Sequence, residues 1–237
     1  KIMDKDFGAV FLYGAGLGNF IWQDLKPLIE FPALFIEYPN REVGEKMNYD
    51  LEFDEYIKPA IDQIQKWNKD KLVFVTHSIG GCVGLKLSDY FKERTIGFIG
   101  IGSAIPESGK SFVSCLPFPK NLLTPILLSL FGTKPPNKSI EKQLCNDLSP
   151  SQTSEVVNRF TPEAKSLYTT KITYHNLPEN TLYIKLSKDA GGIEIQDKMI
   201  QNLKAEKVET IDSGHLPMMS RPEKLSGILN GFMNQAG

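Results

Sequence analysis

Three side chains that together can activate a nucleophile occur in the order serine, aspartate, histidine in this 237-residue chain: Ser78, Asp189 and His215. A serine hydroxyl is a weak nucleophile at neutral pH, so it needs a base to take its proton and an acidic group to orient that base. Histidine and aspartate can do these two jobs. The three residues therefore predict Ser78 as a nucleophile, with His215 as the base and Asp189 as the orienting carboxylate.

Ser78 lies in the segment 76–81, Thr-His-Ser-Ile-Gly-Gly, between an apolar run at 71–76 and a helical spacing of apolar residues from Ile79 onward. On such a strand-to-helix turn the serine hydroxyl is pushed out of the backbone, and the helix N-terminus faces the negative charge that develops. Thr76 stands where this motif usually has a glycine, so a β-branched side chain must fit into the turn. Taken alone, the six residues also suit an ordinary loop with a capping serine.

The base is chosen among three histidines. His215 follows the last predicted strand and comes after the serine and the aspartate, which is the order that the serine turn motif requires. His77 adjoins Ser78, but neighbouring side chains diverge at so tight a turn, so His77 is predicted to be a packing residue. His175 lies within a long segment that departs from the strand–helix rhythm.

The acidic partner is chosen among three aspartates. Asp189 follows a predicted strand directly, which favours it as the residue that orients His215. Asp212 is only three residues before His215 and is interpreted as a turn residue that satisfies nearby backbone groups. Asp197 falls within a predicted helix.

Negative charge on a substrate oxygen would need backbone donors. The N–H groups of Ile79 and Ala15 are the predicted pair, because the loop after the first strand is expected beside the serine turn. That loop, 14–18, is Gly-Ala-Gly-Leu-Gly. A dinucleotide-binding loop is an alternative interpretation, with Glu37 as its acidic residue, but the glycine spacing differs from G-x-G-x-x-G.

The elements that must position these residues alternate between strand and helix. Such alternation predicts a parallel sheet covered on both faces, since each parallel crossover needs a connection that a helix supplies. The predicted strands are 7–13, 33–38, 71–76, 95–102, 181–186 and 207–211, and the predicted helices outside the long segment are 20–29, 51–67, 79–90, 193–203 and 221–233.

The alternation stops at about 103–180, which is too long for a structureless loop. This segment is predicted to be a mostly helical cap, inserted after the fourth strand of a single domain whose core is 1–102 and 181–237. Helical patches occur at 122–131 and 151–160. The first of these is strongly apolar but too short to span a bilayer, so we expect it to pack against the core rather than contact a membrane.

Composition narrows the classes of partner. The chain is 41% hydrophobic and 23% charged, with a net charge of −1, so it lacks the electropositive character expected of a protein that binds nucleic acid or an anionic membrane. Cys82, Cys115 and Cys145 lack metal-ligand spacing and are predicted to be structural or incidental. No metal or cofactor is expected. The N-terminus lacks a signal-peptide pattern, which predicts a cytoplasmic protein that acts on a small molecule.

The chain resembles the α/β-hydrolase superfamily, and within it the branch of methylesterases and hydroxynitrile lyases. Five segments carry this resemblance in order: YGAGLGNFIWQDLKPLIE, THSIGG, AIPESGKS, LYIKLSKD and DSGHLPMMSRPEKL. The resemblance implies the α/β-hydrolase fold, a mainly parallel six-stranded sheet flanked by helices with a cap after the fourth strand. It also implies the triad Ser78, His215 and Asp189, and the oxyanion donors Ala15 and Ile79.

Two positions depart from that branch. Tyr13 replaces the histidine that usually precedes the glycine of the oxyanion loop, so only the backbone role of Ala15 carries over. Leu216 replaces the lysine that follows the catalytic histidine in hydroxynitrile lyases. We therefore expect hydrolysis of a small or medium neutral carboxylic ester, with methyl esters as one candidate class. The alternatives are a silent ligand receptor, or a lyase, thioesterase or perhydrolase on the same triad.

Overall fold

A six-stranded parallel sheet forms the centre of the protein. The computed structural model describes residues 6–41 and 48–236. Within them the strand order is β2-β1-β3-β4-β5-β6, and each neighbouring pair is parallel. The strands are β1 (Phe7–Leu12), β2 (Ala33–Phe35), β3 (Lys71–His77), β4 (Thr95–Ile101), β5 (Thr181–Leu186) and β6 (Lys207–Ile211).

The six predicted strands are confirmed, with shifts at their ends. β2 is shorter than predicted and ends at Phe35, whereas β3 continues one residue further, through His77. Every residue of β1 is buried, as is every residue of β3 after Lys71. A strand that is apolar along its whole length is typical of a parallel sheet covered on both faces.

Helices cover the sheet and fill the connection between β4 and β5. We call residues 102–180 the β4–β5 segment; it holds five of the described helices and is mostly helical, as the sequence predicts. The described helices are α1 (Asp54–Trp67), α2 (Gly80–Tyr90), α3 (Phe112–Cys115), α4 (Lys120–Phe131), α5 (Asn137–Leu144), α6 (Pro150–Arg159), α7 (Lys165–Thr169), α8 (Gln196–Leu203), α9 (Pro217–Ser220) and α10 (Pro222–Ala236).

The prediction of an α-helix at 20–29 is wrong. The chain forms two short 3₁₀ turns there, Asn19–Trp22 and Lys26–Leu28. Pro27 cannot donate a backbone hydrogen bond, which interrupts a continuous α-helix at this point. The first turn buries three large apolar side chains even without a helix.

The expected packing of 122–131 on the core is also wrong. Helix α4 has no buried residue, and its apolar side chains Leu122, Leu130 and Phe131 are 60%, 70% and 76% exposed. Among the described helices, none is long and apolar enough to cross a membrane.

The parallel arrangement gathers the candidate chemistry at one edge of the sheet. Ser78 follows β3, the Gly14 loop follows β1, and Asp189 and His215 follow β5 and β6. Since all these strands run in the same direction, their carboxyl ends meet at the edge where α/β sheets generally bind ligands.

Candidate active site

Ser78 occupies a strained turn between β3 and α2. Its φ is +53°, a left-handed conformation that costs energy for a residue with a side chain. The serine backbone is fixed on both sides: its N–H donates to Ile101 at 3.3 Å, and its carbonyl accepts from Ala104 at 2.8 Å. A side chain on Gly81 would lie 2.1 Å from the Ala104 carbonyl, so the start of α2 packs against the next loop at glycine distance.

Thr76 fits into the turn because a glycine of helix α2 leaves room for its side chain. Its side chain is fully buried, with the hydroxyl donating to the Ile99 carbonyl at 3.2 Å and lying 2.8 Å from Ser103 Oγ. Its methyl group faces Gly84, where a Cβ would come within 2.3 Å. The β-branched residue is therefore accommodated by a glycine in α2.

Asp189 and His215 are in contact. Asp189 Oδ2 lies 2.9 Å from His215 Nδ1, and its Oδ1 accepts from the N–H groups of Gly191 and Gly192 at 3.0 Å each. Burial alone would raise the pKa of Asp189, but His215 and the two amides outweigh it and hold that pKa below its usual value. An ionised Asp189 keeps the proton on Nδ1, which leaves Nε2 of His215 as the acceptor.

The two other candidate acids lie elsewhere. Asp212 is exposed and accepts from Ser187 Oγ at 2.9 Å and from Lys188 Nζ at 2.7 Å. Asp197 pairs with Lys185 on the protein surface. Of the three aspartates, the structure brings only Asp189 to His215.

His77 supports the backbone of His215, a contact that the sequence analysis missed. Its ring is fully buried, and Nε2 lies 2.8 Å from the His215 carbonyl, so Nε2–H is the donor. The two imidazole rings are 4.8 Å apart between centroids. Burial and the nearby His215 lower the pKa of His77 to about 3, so this histidine is neutral at physiological pH.

His77, the residue before Ser78, contacts the His215 carbonyl directly, so the serine turn lies against the loop that carries His215. Within the described residues no hydrogen bond joins the Ser78 hydroxyl to His215. Catalytic hydrogen bonds often tighten only when a substrate is bound, so the part that Ser78 plays in the triad stays a prediction.

The loop after β1 packs against Ser78. A Cβ on Gly14 would lie 2.7 Å from the Ser78 Cβ and 3.2 Å from its Oγ. In the part of the chain that the structure describes, neither Ala15 N–H nor Ile79 N–H donates a hydrogen bond. Among the described residues both predicted oxyanion donors are thus without a partner, and both adjoin either Ser78 or the glycine that contacts it.

The dinucleotide interpretation finds no support in this loop. The loop leads into a four-residue 3₁₀ turn rather than a helix whose N-terminus could hold a pyrophosphate. Glu37 Oε1 accepts from the Tyr13 hydroxyl at 2.6 Å. Tyr13, which replaces the family histidine, is itself fully buried and also accepts from the Tyr38 N–H at 2.7 Å.

The three cysteines are buried free thiols, as their structural interpretation requires. Burial raises the pKa of Cys82, of Cys115 to about 12 and of Cys145 to about 11. Thiols with raised pKa values are poor nucleophiles, so the cysteines add no competing chemistry.

Comparisons with known proteins find a relative by sequence and several by fold. No protein-family model matches the chain. Methylesterase 9 of Arabidopsis thaliana is 22% identical over 244 residues, covering 91% of this chain and 94% of the relative. Among solved structures, a methylesterase from Arabidopsis has a TM-score of 0.77 at 18% identity, covering 97% and 99% of the two chains. Tomato methylketone synthase I has a TM-score of 0.76 at 16% identity, covering 97% and 98%.

The structural matches span nearly the whole of both chains, and the sequence match points to the same group of proteins. A methylesterase and a methylketone synthase share the fold, so the fold alone does not choose the reaction. The chain has the α/β-hydrolase fold, and it is similar in sequence and in structure to methylesterases of that superfamily.

Proposed function

We propose that this protein is a serine hydrolase of small or medium neutral carboxylic esters, methyl esters among them. Ser78 is the nucleophile, His215 the general base and acid, and Asp189 the residue that orients His215. The observation that carries the proposal is the 2.9 Å hydrogen bond between His215 Nδ1 and buried Asp189, next to a serine held at φ +53°. The esterase names of the relatives agree with it.

The first half of the reaction makes an acyl-enzyme. His215 Nε2 takes the Ser78 proton as the serine oxygen attacks the ester carbonyl carbon. The carbonyl oxygen becomes negative and accepts from the N–H groups of Ala15 and Ile79. The imidazolium then gives its proton to the departing alkoxide, and an alcohol leaves.

The second half restores the enzyme. Water gives a proton to His215 and attacks the acyl carbon, and the same two N–H groups stabilise the second oxyanion. The Ser78 oxygen leaves and recovers its proton from His215, which releases the carboxylic acid. Asp189 stabilises the imidazolium in both halves without itself becoming protonated.

We further propose that the β4–β5 segment is a cap over this site and shapes its pocket. Its part 160–164 lies directly on the loop after β1, which brings it close to Ser78. Leu216 follows the proposed catalytic histidine and is fully buried. An apolar side chain there provides no charge to stabilise a leaving cyanide, which favours ester hydrolysis over cyanohydrin cleavage.

The test is a panel of p-nitrophenyl and methyl esters that vary in acyl length, assayed with the parent protein and Ser78→Ala. We expect hydrolysis by the parent and loss of kcat by at least about 10³-fold in the variant, since removing a triad member costs that much or more. A fluorophosphonate probe should label the parent and fail to label Ser78→Ala. Ser129→Ala, which removes an exposed serine of α4, is the matched control and should retain labelling and turnover.

Each alternative function has its own outcome. A silent receptor would leave the parent unlabelled and inactive on every ester. Equal turnover by Ser78→Ala and the parent would exclude the serine mechanism. Thioester cleavage or cyanohydrin breakdown faster than that of every ester in the panel would move the assignment to another reaction of the same triad.

A further inference from the structure

A buried ion pair joins the β4–β5 segment to Arg41, which follows β2, and both of its residues contact the loop after β1. Glu163 lies in that segment with a side chain that is 0% exposed, and Arg41, with a side chain 9% exposed, pairs with its Oε1. Buried charges are costly unless they are paired and hydrogen-bonded, so such a pair needs a structural or functional reason. The proposed reaction uses neither residue.

The carboxylate of Glu163 accepts hydrogen bonds from three donors. Besides Arg41, Oε1 accepts from the backbone N–H of Gly16 at 3.0 Å, and Oε2 accepts from the Tyr56 hydroxyl at 3.0 Å. The Gly16 N–H is the amide immediately after that of Ala15. Glu163 therefore fixes the peptide group next to a proposed oxyanion donor.

Arg41 holds the same loop one residue further on. Its Nε donates to the Leu17 carbonyl at 2.8 Å, and its guanidinium lies 5.2 Å from the centre of the Tyr13 ring, which precedes the loop. The Gly16 carbonyl accepts from the Thr161 N–H at 2.9 Å. The loop is thus held on both sides of Ala15 by groups from outside it.

Gly16 has a backbone conformation and surroundings that suit only glycine. Its φ is +78°, and a Cβ there would lie 2.1 Å from the ring of Phe160. The Gly16 N–H is taken by a carboxylate while the Ala15 N–H has no partner among the described residues. An amide left unpaired beside Ser78 is available to a substrate oxygen.

We propose that Glu163 and Arg41 are positioning residues for the oxyanion loop: their ion pair, together with the Gly16 and Leu17 hydrogen bonds, holds Ala15 N–H toward Ser78. This inference rests on the proposed esterase function and deepens it. Neither residue touches the substrate. They hold in place the Ala15 N–H, whose hydrogen bond to the substrate oxygen is stronger in the transition state than in the ground state.

Loss of a positioning residue should lower kcat and leave KM nearly unchanged. Loss of one oxyanion donor lowers kcat by about 10²-fold or more, and it leaves substrate binding largely intact because the ground-state carbonyl uses the donor weakly. A purely structural ion pair would instead lower the melting temperature and the fraction of active protein, with normal kcat for each active molecule.

The test measures kcat and KM for a short p-nitrophenyl ester, with active sites counted by endpoint fluorophosphonate labelling. Glu163→Gln keeps the side-chain volume and removes the charge. The double variant Arg41→Met with Glu163→Met replaces the whole pair by apolar groups, which removes the cost of an unpaired buried charge. We expect kcat per labelled site to fall about tenfold in Glu163→Gln and about 10²-fold in the double variant, with KM changed less than about threefold.

Glu194→Gln is the matched control, because Glu194 also joins the β4–β5 segment to the rest of the chain, through an exposed ion pair with Lys120. It should keep parental kcat and KM. A parental kcat per labelled site in the double variant would overturn the proposal, and so would a rise in KM alone. Counting labelled sites keeps both results meaningful when part of the protein misfolds. The Ser78→Ala assay is independent, so a failed esterase assignment is distinguishable from a failed positioning role.

Discussion

His77 should make the fold sensitive to mild acid. Its imidazole is fully buried, its Nε2–H donates to the His215 carbonyl, and its Nδ1 has no hydrogen-bond partner within the described residues. Protonation would place a new N–H at Nδ1, in a site that offers no acceptor. Removal of the charged ring from water is the main cause that lowers the pKa of His77 to about 3, and the nearby His215 adds to the effect.

The direction in which pH changes the stability follows from the pKa of His77 in the unfolded and in the folded chain. An unfolded histidine has a pKa of about 6.5, so between about pH 6.5 and pH 3 the unfolded chain binds this proton and the folded chain does not. Stability then decreases as the pH falls through this window. At about 1.4 kcal/mol per pH unit, the free energy of unfolding should lose about 2 kcal/mol from this residue between about pH 7.5 and pH 5.

The assay is urea unfolding of the parent and of His77→Gln at several pH values in this range. A glutamine amide can donate to the His215 carbonyl but does not titrate, so the stability advantage of the parent over the variant should fall by about 2 kcal/mol toward pH 5. His175→Gln is the control, because it removes an exposed histidine, 85% exposed in its side chain. A parent-minus-variant difference that stays constant with pH would refute the reasoning.

Two more predictions concern the site. Asp189→Asn should lower kcat about 10⁴-fold. The pKa of Asp189 in the folded protein is held below its usual value, so its carboxylate stabilises the fold above about pH 4. This stabilisation is lost as the pH falls through the pKa of the folded state. Urea unfolding of parent and variant should therefore converge in strong acid. Gly84→Ala should destabilise the fold by about 1–3 kcal/mol through contact with the Thr76 methyl, and adding Thr76→Ser should recover most of this; an additive double variant would contradict that account.

The sheet and the triad candidates were predictable because they depend on local patterns. Apolar runs identify strands that are buried on both faces, and residues that follow parallel strands meet at one edge whatever the details of the helices between them. The rule holds for Asp212 as well, so the choice of Asp189 depended on the closeness of Asp212 to His215 in the chain, and the structure brings Asp189 to His215. Pro27 shows the opposite case, where the apolar pattern of 20–29 was helical but the backbone could not follow it.

The features that the sequence did not predict, a buried ion pair and an exposed apolar helix, depend on contacts between residues far apart in the chain. Glu163 and Arg41 are separated by 122 positions, and neither lies in a motif, so no spacing predicts that they pair. The predicted burial of helix α4 was wrong for a related reason. An apolar run is buried only when another surface is available to cover it, and among the described residues α4 has no buried side chain. Charged residues that become buried and apolar residues that stay exposed are both set by tertiary structure.

Thr76 shows how the serine turn can work without the first glycine of its usual motif. The turn needs space on the side of the strand that faces the following helix, because the strand and helix axes approach closely there. In this chain Gly84 supplies that space from the helix, opposite the Thr76 methyl group. The hydroxyl adds two contacts that a glycine could not make: it donates to the Ile99 carbonyl, and it can accept from Ser103, whose single proton goes either to Thr76 or to the Ser78 carbonyl 3.1 Å away. Thr76 is thus linked through Ser103 to the backbone of the strained serine, so at this position a β-branched residue can help to hold the turn rather than obstruct it.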